Sequence, residues 1–217
     1  MFHRLPQTDT FDWPHGLTRH RLAVLRLVAM MLATIAVLGR EDGGRVLLPA
    51  SVRRALRRML RPAESAVRRL IVVAARVLPF DPPAPRTKAP GGGGARKSAR
   101  SLAFPLVDPL PRFAFEPVEV RPAPASPDDA AQDATAAVQR LRMVRAALDD
   151  MPAQLRRLAR WEAKRAARHA AGRAWRFHPI RNRRPPGAVR RPRHAMHRVL
   201  DECHRLFLGL PEPIDSS

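Results

Sequence analysis

Four polar side chains near the end of the chain, His194, His197, Asp201 and His204, stand at steps of three, four and three, a spacing that puts them on one face of an α-helix. Imidazole and carboxylate at that spacing can share a zinc or nickel ion, with a second chain completing the shell. The same pattern is also an ordinary solvated face, and we assign neither a metal nor any other cofactor. Cys203 points the other way, among Met196, Val199, Leu200, Leu206 and Phe207, as a small core residue rather than a ligand or nucleophile. Being the single cysteine, it forms no internal disulfide and does not place the chain in an oxidising compartment.

The other chemistry on offer is that of arginine. Lysine occurs only at positions 88, 97 and 164, within a net charge of +21. The guanidinium fork suits phosphate and carboxylate, which implies a polyanion such as nucleic acid or anionic lipid. GC-rich codons for arginine, alanine, proline and glycine would give the same composition without selection for phosphate binding. The candidate contacts fall in two groups. Arg53, Arg54, Arg57, Arg58, Arg61, Arg68 and Arg69 share one side of a helical pattern, and Arg183, Arg184, Arg190 and Arg191 lie in a proline-rich connector. That connector resembles the proline-arginine peptides that enter the minor groove of A·T-rich DNA, without their glycine-arginine-proline centre. The chain holds no nucleotide loop, nucleophile elbow, paired catalytic carboxylates or cysteine-histidine arrangement, and Gly91 to Gly94 lack the flanking strand of a phosphate loop. We therefore expect a protein that is not an enzyme.

These side chains need helices to hold them. Leu22 to Leu38, LAVLRLVAMMLATIAVL, is the most apolar stretch, and from Leu27 onward only Thr34 carries a polar group. A helix apolar on every face belongs in a large core or in lipid. Its uncharged part is shorter than the ~18–20 residues that span a bilayer, and reaches the lower edge of that range only if Arg26 snorkels toward the headgroups. The cluster Gly39 to Gly44 reads as a turn. A second helix is predicted from about Pro49 to Leu78, with Val52, Ala55, Leu56, Met59, Leu60, Ala63, Val67, Leu70, Ile71, Ala74 and Leu78 on its apolar stripe and the arginines opposite. Pro62 predicts a kink or break. The two helices form an antiparallel hairpin that covers one side of the apolar helix. Its other side must meet lipid, another copy of the chain or the C-terminal helices.

Residues 1–16 form an irregular lead-in and 17–78 the hairpin. Residues 79–127, with twelve of the 23 prolines, form a disordered linker, 128–210 the basic C-terminal helices and 211–217 a tail. Within the linker, Leu102-Ala103-Phe104 and Phe113-Ala114-Phe115 are short apolar pieces suited to a groove. Ser126 and Pro127 predict a helix start, Asp150-Met151-Pro152 a second one running to about Trp175, and Arg193 to Leu208 a last helix stopped by Gly209 and Pro211. The expected fold class is mainly α: an N-terminal helical hairpin, a long Pro/Gly-rich disordered linker and a small C-terminal basic helical bundle. The long n-region with Asp9 and Asp12, and the lack of an A-x-A-like site after Leu38, argue against a secretory signal.

The stretches RPAESAVRRLIVVAAR (Arg61 to Arg76), RRLARWEAKRA (Arg156 to Ala166) and RRPRHAMHRVLDECHRL (Arg190 to Leu206) resemble those of a group of uncharacterised alphaproteobacterial proteins. The resemblance implies a bacterial source and carries no residue roles.

Two functional expectations follow. One is a membrane-associated helical protein at the inner membrane, anchored by the apolar helix with its arginine face on anionic headgroups or an acidic protein. The other is a soluble homo-oligomer that binds nucleic acid without sequence preference. Val28→Arg with Ile35→Arg is the change expected to separate them, by releasing the membrane anchor or breaking the oligomer.

Overall fold

The computed structural model describes residues 12–79, 103–108, 131–172, 180 and 184–210. In chain order these form α1 (Trp13–Leu38), β1 (Arg40–Asp42), β2 (Arg45–Pro49), α2 (Ala50–Val77), β3 (Ala131–Asp133), α3 (Thr135–Asp149), α4 (Met151–Ala170) and α5 (Ala195–Leu208). The protein is mainly helical with a small antiparallel sheet.

α1 starts earlier than the apolar pattern suggests. Asp12 is its N-cap, accepting from the His15 backbone N–H at 3.0 Å, and Pro14 fits the first turn, where a missing N–H costs nothing. After α1 the chain turns back through a two-residue hairpin. Gly43 and Gly44 take φ of 52° and 79°, the left-handed pair that a tight hairpin with the natural strand twist requires. β1 pairs with β2 with Arg40 opposite Leu47, a register that, extended past the ladder, sets the last turn of α1 beside the first turn of α2.

β2 then takes β3 on its free edge, Leu48 opposite Gln132. This corrects the expected helix start. Ser126 and Pro127 lie outside the described residues, but Ala131 to Asp133 is strand, so the helix begins at Thr135. The edge of β2 supplies the reason: the Ala134 N–H donates to the Val46 carbonyl, the Val46 N–H donates to Thr135 Oγ1, and Asp133 accepts from the Thr135 N–H. α4 starts as predicted, with Asp150 accepting from the Ala153 N–H at 3.0 Å.

α2 is the centre of the molecule and packs against α1, α3, α4 and α5. The later helices make no bundle of their own among the described residues: α3 touches α4, whereas α5 meets only α1 and α2. Their thin, alanine-rich stripes find enough apolar area only by sharing the core of α2. The helix enclosed on every side is therefore the second half of α2, buried without interruption from Pro62 to Ala74. α1 is enclosed on one face only, through Leu17, Val24, Val28, Met31 and Ile35. Arg21 ties it to the end of α3 by donating Nε to the Leu148 carbonyl at 2.9 Å.

Pro62 does not break α2, which is one continuous helix. Its ring is buried under the connector at Gly187, so the stretch that loses one backbone hydrogen bond is held by packing.

Candidate functional site

The arginines divided by sequence into two groups divide differently in space. Arg54, Arg57, Arg58 and Arg61 are exposed along the first half of α2. Arg184, Arg190 and Arg191 are exposed on the connector, which crosses α2 where Gly187 meets Arg61 and Pro62. The two groups thus meet in one basic surface. Arg183 lies outside the described residues.

Arg68 and Arg69 do not belong to that surface. They sit in the enclosed half of α2, 3% and 0% exposed, and are committed to internal partners, so neither meets a headgroup or polyanion from outside. Arg68 donates Nε to the Pro105 carbonyl at 2.9 Å, lies 3.3 Å from Asp108 and 3.6 Å from Glu64, and covers the Phe104 ring. Arg69 donates to Ser65, to His204 Nδ1 at 3.2 Å, and pairs with the second oxygen of Asp108 at 3.5 Å. Burial pulls both guanidiniums below the usual arginine value, and Asp108 pulls the other way. Two buried carboxylates, Glu64 and Asp108, match the two buried guanidiniums, and Arg140 of α3 grips Glu64 bidentately at 2.8 and 2.7 Å. Arg157 of α4 adds a bond to the Phe104 carbonyl at 3.0 Å. One of the two apolar linker pieces, ending in Phe104, is therefore docked as the start of a strap, Ala103 to Asp108; Phe113 to Phe115 lie outside the described residues. Glu64 and Arg68 one turn apart were the sequence signal for this network, but nothing marked Asp108 as their partner.

The four polar residues of α5 do not gather round one point. His197 is buried beside His194, ring centroids 5.3 Å apart, and His204 is turned toward Arg69. Among the described residues no group of three or more His, Cys, Asp and Glu side chains is placed to hold a metal ion. Cys203 is fully buried, its thiol pushed up to about 12 by burial, which leaves it unreactive.

Arg53, the remaining candidate, is half-buried and donates to the Gln132 side chain on β3. With Ala50, Arg54, Arg57 and Gln132 it lines a hollow of about 250 Å³ at the start of α2. The role of Gln132, far away in sequence, was not readable.

The outward face of the second half of α1, Leu27 to Leu38, is apolar. Met30 is 65%, Val37 80% and Leu38 44% exposed, and the one polar side chain among the last three turns, Thr34, returns its hydroxyl to the Met30 carbonyl at 2.9 Å. No protein-family model, curated protein or solved structure matches the chain.

Proposed function

We propose that the protein is a non-enzymatic, membrane-associated helical protein that rests on an anionic surface at the cytoplasmic side of the inner membrane. The observation that carries this reading is the outward face of α1, uncharged from Leu27 to Leu38 and exposing Met30, Val37 and Leu38. A large exposed apolar face beside dense positive charge is the pattern of an interfacial element, whose apolar side enters the headgroup boundary while the basic side meets anionic lipid. The inner face of α1 is filled by α2, α3 and α5, so lipid reaches only the outer face. This favours seating in the interface over a span.

The second reading, sequence-blind binding of nucleic acid by a soluble oligomer, is favoured by the continuity of the basic surface from Arg54 to Arg61 of α2 onto Arg184, Arg190 and Arg191. Such binding would weaken steeply with salt.

Val28→Arg with Ile35→Arg does not separate the two, because both residues face inward and the variant would unfold. Met30→Glu with Val37→Glu leaves the core untouched. In cells making a tagged copy, the wild type should remain with membranes after a salt wash and leave on carbonate or detergent, and the double variant should be in the soluble fraction. Full release of the wild type by nuclease or salt would replace the membrane reading with the nucleic-acid one. A wild-type dimer that the variant breaks, with neither membrane nor nucleic-acid association, would sink both.

A further inference from the structure

The strap from Ala103 to Asp108 belongs to no helix or strand, yet the helices hold it residue by residue. Its inward and outward positions alternate, the period of an extended chain: Phe104 and Asp108 are buried and Leu106 half-buried, whereas Ala103, Pro105 and Val107 are exposed. Two consecutive carbonyls accept from arginines of different helices, that of Phe104 from Arg157 at 3.0 Å and that of Pro105 from Arg68 Nε at 2.9 Å. Alternate side chains in pockets, with main-chain groups hydrogen-bonded between them, is how proteins recognise an extended peptide. The seat is organised without the strap. Arg140 and Arg68 share Glu64, and Ser65 and His204 hold Arg69, so α2, α3 and α5 already fix both guanidiniums that face Asp108. Groups fixed beforehand lose little freedom when a ligand arrives.

We propose that α2 and α4, backed by α5, form a peptide-recognition site for an extended segment with an aromatic residue and, four positions on, a carboxylate. The strap is its resident occupant, exchangeable for such a segment of a partner protein. Its own fit leaves room for a competitor. The Asp108 carboxylate stands 3.3 and 3.5 Å from Arg68 and Arg69, longer than the ~2.7–2.9 Å of a close charge-assisted bond, and its Oδ2 is buried with no hydrogen bond. In the chain the strap is joined to α2 and β3 through positions 80–102 and 109–130, so its hold on the site rests on these contacts and not on a neighbouring helix or strand. With the strap seated, Arg68 and Arg69 are closed to the outside. Simple release would strip a carboxylate from two cations, whereas a segment that replaces the strap contact for contact keeps them paired, which is why exchange is favoured over opening. The site is independent of the membrane reading above.

The test uses the full chain and a rhodamine-labelled, amidated hexapeptide of the strap sequence, Ala103 to Asp108. The tethered strap competes at an effective concentration on the order of millimolar, so the wild type should bind the peptide weakly. Phe104→Ala takes the aromatic anchor from the chain's own strap and should bind the peptide at least about tenfold more tightly by fluorescence anisotropy. Leu106→Ala, a milder truncation of a half-buried side chain, takes its place if Phe104→Ala does not fold. Peptides carrying Asp108→Asn or Phe104→Ala should each bind the variant at least about tenfold more weakly, and only the unaltered peptide should raise the variant's melting midpoint. No binding to a folded variant overturns the site. So does equal binding of the Phe104→Ala peptide, which keeps the charge and reports only attraction to a basic chain. Equal binding by wild type and variant puts the peptide elsewhere and overturns the strap as the occupant.

Discussion

Gly187 lies so close to Pro62 that a β-carbon on it would stand 2.7 Å from the proline nitrogen and 2.8 Å from its Cδ. The contact falls where α2 has no N–H to offer, and it fixes the basic connector across the helix. With φ of 87°, Gly187 also has a backbone conformation that other residues adopt only with strain. Gly187→Ala should therefore destabilise the fold by about 1–3 kcal/mol, read as a lowered denaturant midpoint with an unchanged slope. A variant as stable as the wild type would show that the connector is not seated on α2.

Asp108 is a buried carboxylate reaching two guanidiniums, at 3.3 Å from Arg68 and 3.5 Å from Arg69. Removing its charge leaves Arg68 with Glu64 and takes a carboxylate from Arg69. Asp108→Asn should cost about 3–5 kcal/mol, more than almost any single surface change, and chemical denaturation measures it. Arg145→Gln, at an exposed pair with Asp149, should cost less than about 1 kcal/mol and serves as the contrast.

Three histidines at the contacts of α5 are held below their ordinary value, in each case chiefly by burial. His20 of α1 has Glu202 opposing and Arg19 assisting that shift; His197 has His194 assisting and Asp201 opposing; His204 has Arg69 assisting, with Asp201 and Asp108 opposing. Below about pH 6.5 the unfolded chain takes up protons that the folded chain refuses. Stability is thus complete above that value and falls as the pH drops toward the lower folded values. Thermal melts from pH 7.5 to 5 should show a declining midpoint. His204→Gln should flatten the decline, since its amide can accept from Arg69 without titrating; an undiminished slope would exonerate His204.

The sequence made some elements plain and hid others for physical reasons. α4 and α5 were legible because Asp150 with Pro152, and Gly209, are local signals that act within one turn. The exposed arginines of α2 were legible from periodicity. Arg68 and Arg69 were not, because periodicity assigns every arginine to water, and their neutralising partner comes from a proline-rich stretch. β3 carries no strand preference in Ala-Gln-Asp; it exists because β2 has an open edge. The hollow was hidden for the same reason, since one wall is Gln132. Burial of the hydrophobic stretches was read in the wrong order, α1 before α2, because mean hydropathy does not count what surrounds a helix.

The partners of α2 arrive late in the chain: Arg69 waits for Asp108, and then for His204, 135 positions downstream. On a ribosome, the helix that will sit at the heart of the protein emerges with only Glu64 and Ser65 beside its two guanidiniums and only α1 to cover it. It can settle only when the final helix is free of the exit tunnel. A chain released before that point carries a sticky, positively charged segment, an invitation to chaperones or to proteolysis, so synthesis to the end of α5 is itself the step that commits the molecule to its shape.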